Sequence, residues 1–139
     1  MNREELKSLI PHRDNMLLLD SVELIDGCAV GRYEVKGDEF FLKGHFPDNP
    51  IVPGVILLEI MAQSSCILLK GVLQEGQLPV YTGLNNVKFR SPVKPKDVIE
   101  TRCSIKKNRH PFYFAEGTVS VKGKLCASAD FSFAVTLGV

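Results

Sequence analysis

The stretch "PGVILLEIMAQSSCILLKG", residues 53–71, decides how this chain folds. Leu, Met, Ala, Gln and Glu favour helix, and Gly71 is placed to stop one. The spacing predicts a helix over 55–69. Its apolar residues do not keep to one face, which describes a helix buried on most sides. A membrane span is the competing reading. The run is short for one, roughly 15 residues against the ~20 that a bilayer needs. It also carries Glu59, Gln63, Ser64 and Ser65, so no membrane span is expected.

Strand signals surround this helix. Residues 2–10 predict a short helix that ends before Pro11, because a proline disfavours helix at the residue preceding it. Asp26-Gly27 then separates two extended segments, near 16–25 and 28–36, as a type I′ hairpin turn would. After the central helix come "VYTGLNNVKF", "DVIETRCSIKK", "PFYFAEGTVSV" and "KLCASADFSFAVT", all rich in Val, Phe, Tyr and Thr. In the last of these Ala127, Ala129, Phe131, Phe133 and Val135 alternate with mostly polar neighbours. Lys122-Gly123 makes a tight turn before it. A helix buried on most sides, amid antiparallel strands, implies an α+β domain over residues 1–139 in which a sheet curls around the helix. Such a sheet has edges, and edges invite a second subunit.

Composition excludes some functions. The 139 residues are 45% hydrophobic and carry a net charge of +1, so the total gives no sign of a nucleic-acid partner. Cys28, Cys66, Cys103 and Cys126 are scattered, as are His12, His45 and His110, without the tight ligand pairs of a zinc site. The start, "MNREELKSLIPHRD", has no apolar signal core, which leads to the expectation of a cytoplasmic protein with reduced thiols.

Four residues on and before the helix could carry chemistry. Helical spacing puts Glu59, Gln63 and Cys66 along one stripe. An acid buried among apolar residues raises its pKa and stays protonated, ready to donate. The other reading of Glu59 is a bare spot on the helix that meets water or an arginine. His45 is a general base or a loop histidine that caps a backbone group. Pro53 suits a helix start, where the Gly54 and Val55 amides are free to polarise a carbonyl, or simply begin a helix. His12 and His110 have ordinary structural explanations. The basic residues Lys88, Arg90, Lys94, Lys96, Arg102, Lys106, Lys107 and Arg109 fit a solvated sheet face or the dock of an acidic carrier protein.

The longer segment "GHFPDNPIVPGVILLEIMAQ", residues 44–63, closely resembles the signature of the bacterial 3-hydroxyacyl-[acyl-carrier-protein] dehydratases of fatty-acid synthesis, the FabZ type. That signature has His-Phe-Pro, a Pro-Gly opening the central helix, a Glu on the helix, then Met-Ala-Gln. "PHRDNMLLLDSVELID" and "NNVKFRSPVKPKDVIE" resemble two further family segments, so the likeness covers most of the chain. The chain departs from the family where Asp14, Asn15 and Met16 replace Tyr-Pro-Phe, and at Ile60 and Lys96, none of them a catalytic position.

The resemblance implies a hot-dog fold and homodimers, joined in many relatives as trimers of dimers. Each active site would combine His45 of one subunit with Glu59 of the other. It implies dehydration of a (3R)-3-hydroxyacyl thioester on the phosphopantetheine arm of acyl carrier protein, with His45 as base and Glu59 as acid. The Gly54 amide, aided by Val55, would hold the thioester oxygen, and Gln63 would support Glu59. The sister branch that also isomerises its product usually has Asp at this position, so Glu59 implies dehydration alone. No metal or redox cofactor is implied. The alternatives within the same fold are an acyl thioesterase and a non-catalytic acyl-binding domain.

Overall fold

The computed structural model describes residues 1–46 and 48–137. Pro47, one of three prolines leading into the central helix, lies outside them. The chain opens with helix α1 (Arg3–Leu6), closed at its start by a reciprocal pair of bonds between Asn2 and Glu5. Helical turns continue to Ile10, whose amide donates to the Leu6 carbonyl at 3.0 Å, and stop ahead of Pro11.

The strands are β1 (Ser21–Ile25), β2 (Cys28–Glu34), β3 (Gln77–Phe89), β4 (Val98–Arg109), β5 (Phe112–Val121) and β6 (Lys124–Leu137). Asp26 and Gly27 have φ of 51° and 78°, the two positive values that a type I′ turn requires. Lys122 and Gly123 repeat the device at 51° and 77°. The first extended segment begins later than its apolar pattern implies. Asp14–Met16 is a single 3₁₀ turn, and Leu17, Leu18 and Leu19 are fully buried rather than laddered. Their side chains are drawn into the core ahead of β1, and the Leu18 amide donates to a side chain, Gln63 Oε1, at 2.9 Å.

All neighbouring strands are antiparallel, in the order β1-β2-β4-β5-β6-β3. Helix α2 (Gly54–Ser65) lies across the sheet and touches β2, β4, β5 and β6. It tightens into a 3₁₀ turn over Cys66–Leu69 and ends before Gly71, whose φ is +93°. This is the hot-dog arrangement. The alternating β6 residues Ala127, Ala129, Phe131, Phe133 and Val135 are all buried. Ile60 and Met61 of α2 are fully buried in the same cluster.

The helix sits close because the strands beneath it carry glycine. A Cβ on Gly31 would lie 2.6 Å from Thr101 Oγ1 and 2.8 Å from Ser64 Cβ. Those two side chains belong to a buried network: the Gly31 amide donates to Thr101 Oγ1, whose hydroxyl donates to Ser64 Oγ, which donates to the Met61 carbonyl. A methyl at position 31 therefore meets groups that hydrogen bonds hold in place. Gly31→Ala should cost about 1–3 kcal/mol, the usual range for overpacking, measured by chemical denaturation.

Candidate active site

Glu59 projects from the middle of α2 beside a cavity of about 330 Å³. The walls that matter are Ala62 and Cys66 from the helix, Val80 and Tyr81 from β3, and Phe133 from β6. Tyr81 is tied back to the helix by its hydroxyl, which donates to the Leu58 carbonyl at 2.6 Å. Burial pushes the Cys66 thiol up to about 12, so it stands here as a neutral, mostly apolar wall.

The Glu59 carboxyl is held through one oxygen. Gln63 Nε2, one turn along, donates to Oε2 at 2.9 Å, as the helical stripe predicts. His12 Nε2 lies 3.2 Å from the same Oε2. Burial pushes the carboxyl up, but the bonds from His12 and Gln63 outweigh it and hold Glu59 below the usual carboxylate range. This corrects the expectation that burial alone keeps Glu59 protonated. The apolar run does bury the acid, yet its neighbours are donors, and donors favour the charged form.

Gln63 is only 1% exposed and uses every part of its amide. Oε1 accepts from the Leu18 amide, and Nε2 donates to the Met16 carbonyl at 2.8 Å as well as to Glu59. It thus holds down the segment that carries His12. From sequence His12 has only an ordinary structural explanation. Its partner lies far along the chain, and no local pattern links them. His110 is the other case: its Nδ1 lies 3.3 Å from the Tyr113 hydroxyl, away from Glu59.

His45 stands in the loop before α2. Its Nδ1 lies 3.0 Å from the Ile51 carbonyl. A carbonyl can only accept, so Nδ1 carries a proton, and in the neutral ring the lone pair is on Nε2. The caps-a-backbone-group reading is therefore correct, and it leaves the other nitrogen free to act as a base. His45 makes no hydrogen bond to Glu59 and does not line the Glu59 cavity. Within one chain the two are not brought together.

Gly54 opens α2 behind Pro53, and the amides of Gly54 and Val55 have no backbone acceptor among the described residues. A separate hollow of about 460 Å³ adjoins them, lined also by Ile51, Phe89 and Arg90. A Cβ on Gly54 would lie 2.7 Å from the Phe89 ring, so only glycine leaves this approach open. Val55 is 70% exposed.

Losing the Gln63 amide would orphan the buried Leu18 N–H. Gln63→Leu should cost about 1–3 kcal/mol in denaturant unfolding, the usual cost of an unpaired buried group.

Comparison with known proteins gives the family. A family model described as the FabA-like domain matches residues 10–130. The 3-hydroxyacyl-[acyl-carrier-protein] dehydratase FabZ of Halalkalibacterium halodurans is 39% identical, over 95% of this chain and 96% of that protein. The FabZ of Clostridium perfringens is 37% identical, over 97% of this chain and 99% of its own length. In structure the chain resembles the dehydratase heterocomplex ApeI:P from Xenorhabdus doucetiae, with a TM-score of 0.79 at 20% identity, covering 94% of this chain and 90% of that one. A match to the family model across most of the chain, with relatives at this identity over nearly full length, means that the chain belongs to the FabA-like family, among the FabZ dehydratases.

Proposed function

We propose that this protein dehydrates (3R)-3-hydroxyacyl thioesters on acyl carrier protein to trans-2-enoyl thioesters, in fatty-acid synthesis. The observation that supports the residue roles is the Glu59 carboxyl set beside a largely apolar cavity of about 330 Å³, with the His45 imidazole held by the Ile51 carbonyl in the loop before the same helix, for a second copy to bring to it. His45 Nε2 takes the α-proton. The electron pair left on Cα forms the Cα=Cβ bond, the Cβ–O bond breaks, and the departing oxygen takes the Glu59 proton and leaves as water. The amide of Gly54, with that of Val55, receives the thioester oxygen as charge grows on it. The elimination of water is redox-neutral, so the proposed chemistry calls for no redox cofactor, and the proton transfers it needs are assigned to His45 and Glu59 without a metal.

Dehydration starts from protonated Glu59 and neutral His45, and ends with the proton on His45. Both are one-proton states of the pair, so the rate is bell-shaped in pH. A lowered Glu59 shifts the pair towards the state from which the reverse reaction, hydration, begins. Hydration of an enoyl substrate, followed by loss of the conjugated absorbance, is the sensitive assay. His45→Ala and Glu59→Gln should each lose at least ~100-fold. Full activity in both variants, or release of free thiol in place of hydration, would overturn the reading.

The active site needs a second copy. Strand β3 is long, pairs only with β6, and exposes Val80 and Leu84, while Phe89 and Val55 are exposed near the start of α2. Antiparallel pairing of two β3 edges about a two-fold axis would cover these groups and bring His45 of one copy to Glu59 of the other. Three such dimers form the larger assembly of the reading. In a random mixture of the His45→Ala and Glu59→Gln chains, half of the sites in each heterodimer are intact. Activity should then recover to about a quarter of wild type, as two-fold symmetry requires. No recovery on mixing would exclude shared sites.

Acyl carrier protein is acidic in this reading and docks where Arg90 borders the hollow at Gly54. Among the described residues Lys88 and Arg90 make no ion pair, whereas Arg102 and Lys106 meet Glu100 and Glu116. Arg90→Glu should raise KM about 10-fold for the carrier-bound substrate and leave a short free thioester unaffected. No helix of the described residues is long and apolar enough to cross a membrane. In this reading the enzyme works in the cytoplasm.

A further inference from the structure

The segment between α1 and β1 is fastened at many points. Arg3 donates to the carbonyls of Leu17, Leu19 and Asp14. Arg13 donates to those of Ile10, His12 and Lys7. Gln63 holds Met16 and Leu18. These bonds make a rigid strap, and the strap aims one imidazole at the acid on α2.

We propose that His12 is a positioning residue for Glu59: its Nε2–H grips Oε2 from the strap while Gln63 grips the same atom from the helix. This rests on the reading of Glu59 as the acid. Two donors converge on Oε2 from different elements, and among the described residues Oε1 has no partner. The carboxyl is thereby pinned, with Oε1 left for the substrate's hydroxyl. One donor alone would leave the group free to swing about its χ3 bond.

The direction of the bond follows from the acceptor. A carboxylate oxygen can only accept, so His12 donates through Nε2, while its Nδ1 is buried with no partner among the described residues. The bond steadies the carboxylate that remains when Glu59 gives up its proton. Among the described residues of the same copy no other ionisable group facing Glu59 can replace it, and His45 of a second copy is assigned to the α-proton. Cys66 on α2 and Tyr81 on β3 are both pushed up by burial and stay neutral. Phe133 of β6 does not titrate, and Arg13 is committed to backbone carbonyls.

The test compares His12→Ala, which removes the donor, with His12→Gln, which keeps an N–H without a titratable ring. Glu59 is followed by ¹³C NMR in protein labelled at the glutamate carboxyl carbon, assigned with Glu59→Gln. Loss of a donor disfavours the carboxylate, so in His12→Ala the Glu59 titration should move to higher pH. The acidic limb of the hydration rate should move with it. His12→Ala should also lower kcat about 10- to 100-fold, with KM within about twofold, the pattern for a misaimed group. His12→Gln should recover most of both effects. An unmoved Glu59 titration with full kcat in His12→Ala would overturn the proposal, as would His12→Gln no better than His12→Ala. Arg3, Arg13 and Gln63 hold the strap without His12, and thermal melts check that each variant folds. If His12→Ala does not fold, a Glu59 titration and kcat in His12→Gln close to wild type support the proposal, and a loss of either overturns it. A shifted titration in a protein that turns over no enoyl substrate would support the grip of His12 on Glu59 and overturn the reaction instead.

Discussion

A buried amide is costly unless each of its polar atoms finds a partner, and Gln63 meets that demand in a way that organises the rest of the structure. Its oxygen takes the Leu18 amide, and its nitrogen reaches the Met16 carbonyl and Glu59. One side chain on α2 thus fastens the N-terminal strap across the helix and orients the acid beside the cavity. If the strap were elsewhere, Glu59 would lose His12, the Leu17–Leu19 run would lose its place in the core, and the cavity would open to water.

The environment of Glu59 departs from the simple picture of an acid silenced by hydrophobic surroundings. Desolvation does raise its pKa, and two hydrogen bonds reverse the outcome. Such a balance suits a reversible elimination. In the proposed reaction the acid releases its proton in one direction and recovers it in the other, so neither form can be strongly disfavoured. The low-dielectric wall makes both hydrogen bonds matter more than they would at the surface.

Much of the architecture was legible because it is written locally. The hairpin at Asp26-Gly27 and the turn at Lys122-Gly123 need positive φ, and the residue types announce it. The alternation in β6 and the composition of α2 are short-range patterns, read within a few residues. The start of β1 at Ser21, later than its apolar pattern implies, has a tertiary cause. Three leucines look like the start of a strand, and their burial with an amide bonded to Gln63 makes them a strap instead. The His45 lead-in, Gly54 and Glu59 were legible as a motif. His12 was not, because its meaning depends on a residue on another element.

The sequence by itself determined the helix, the strand count, the turns and the catalytic candidates, since propensity and periodicity act over a few residues. The tertiary structure alone decided which groups surround Glu59, which oxygen they bind and which way its proton equilibrium leans. Those are properties of distance and burial. They arise only when the strap, the helix and β3 are folded onto one another, and a carboxyl's charge answers to its neighbours in space.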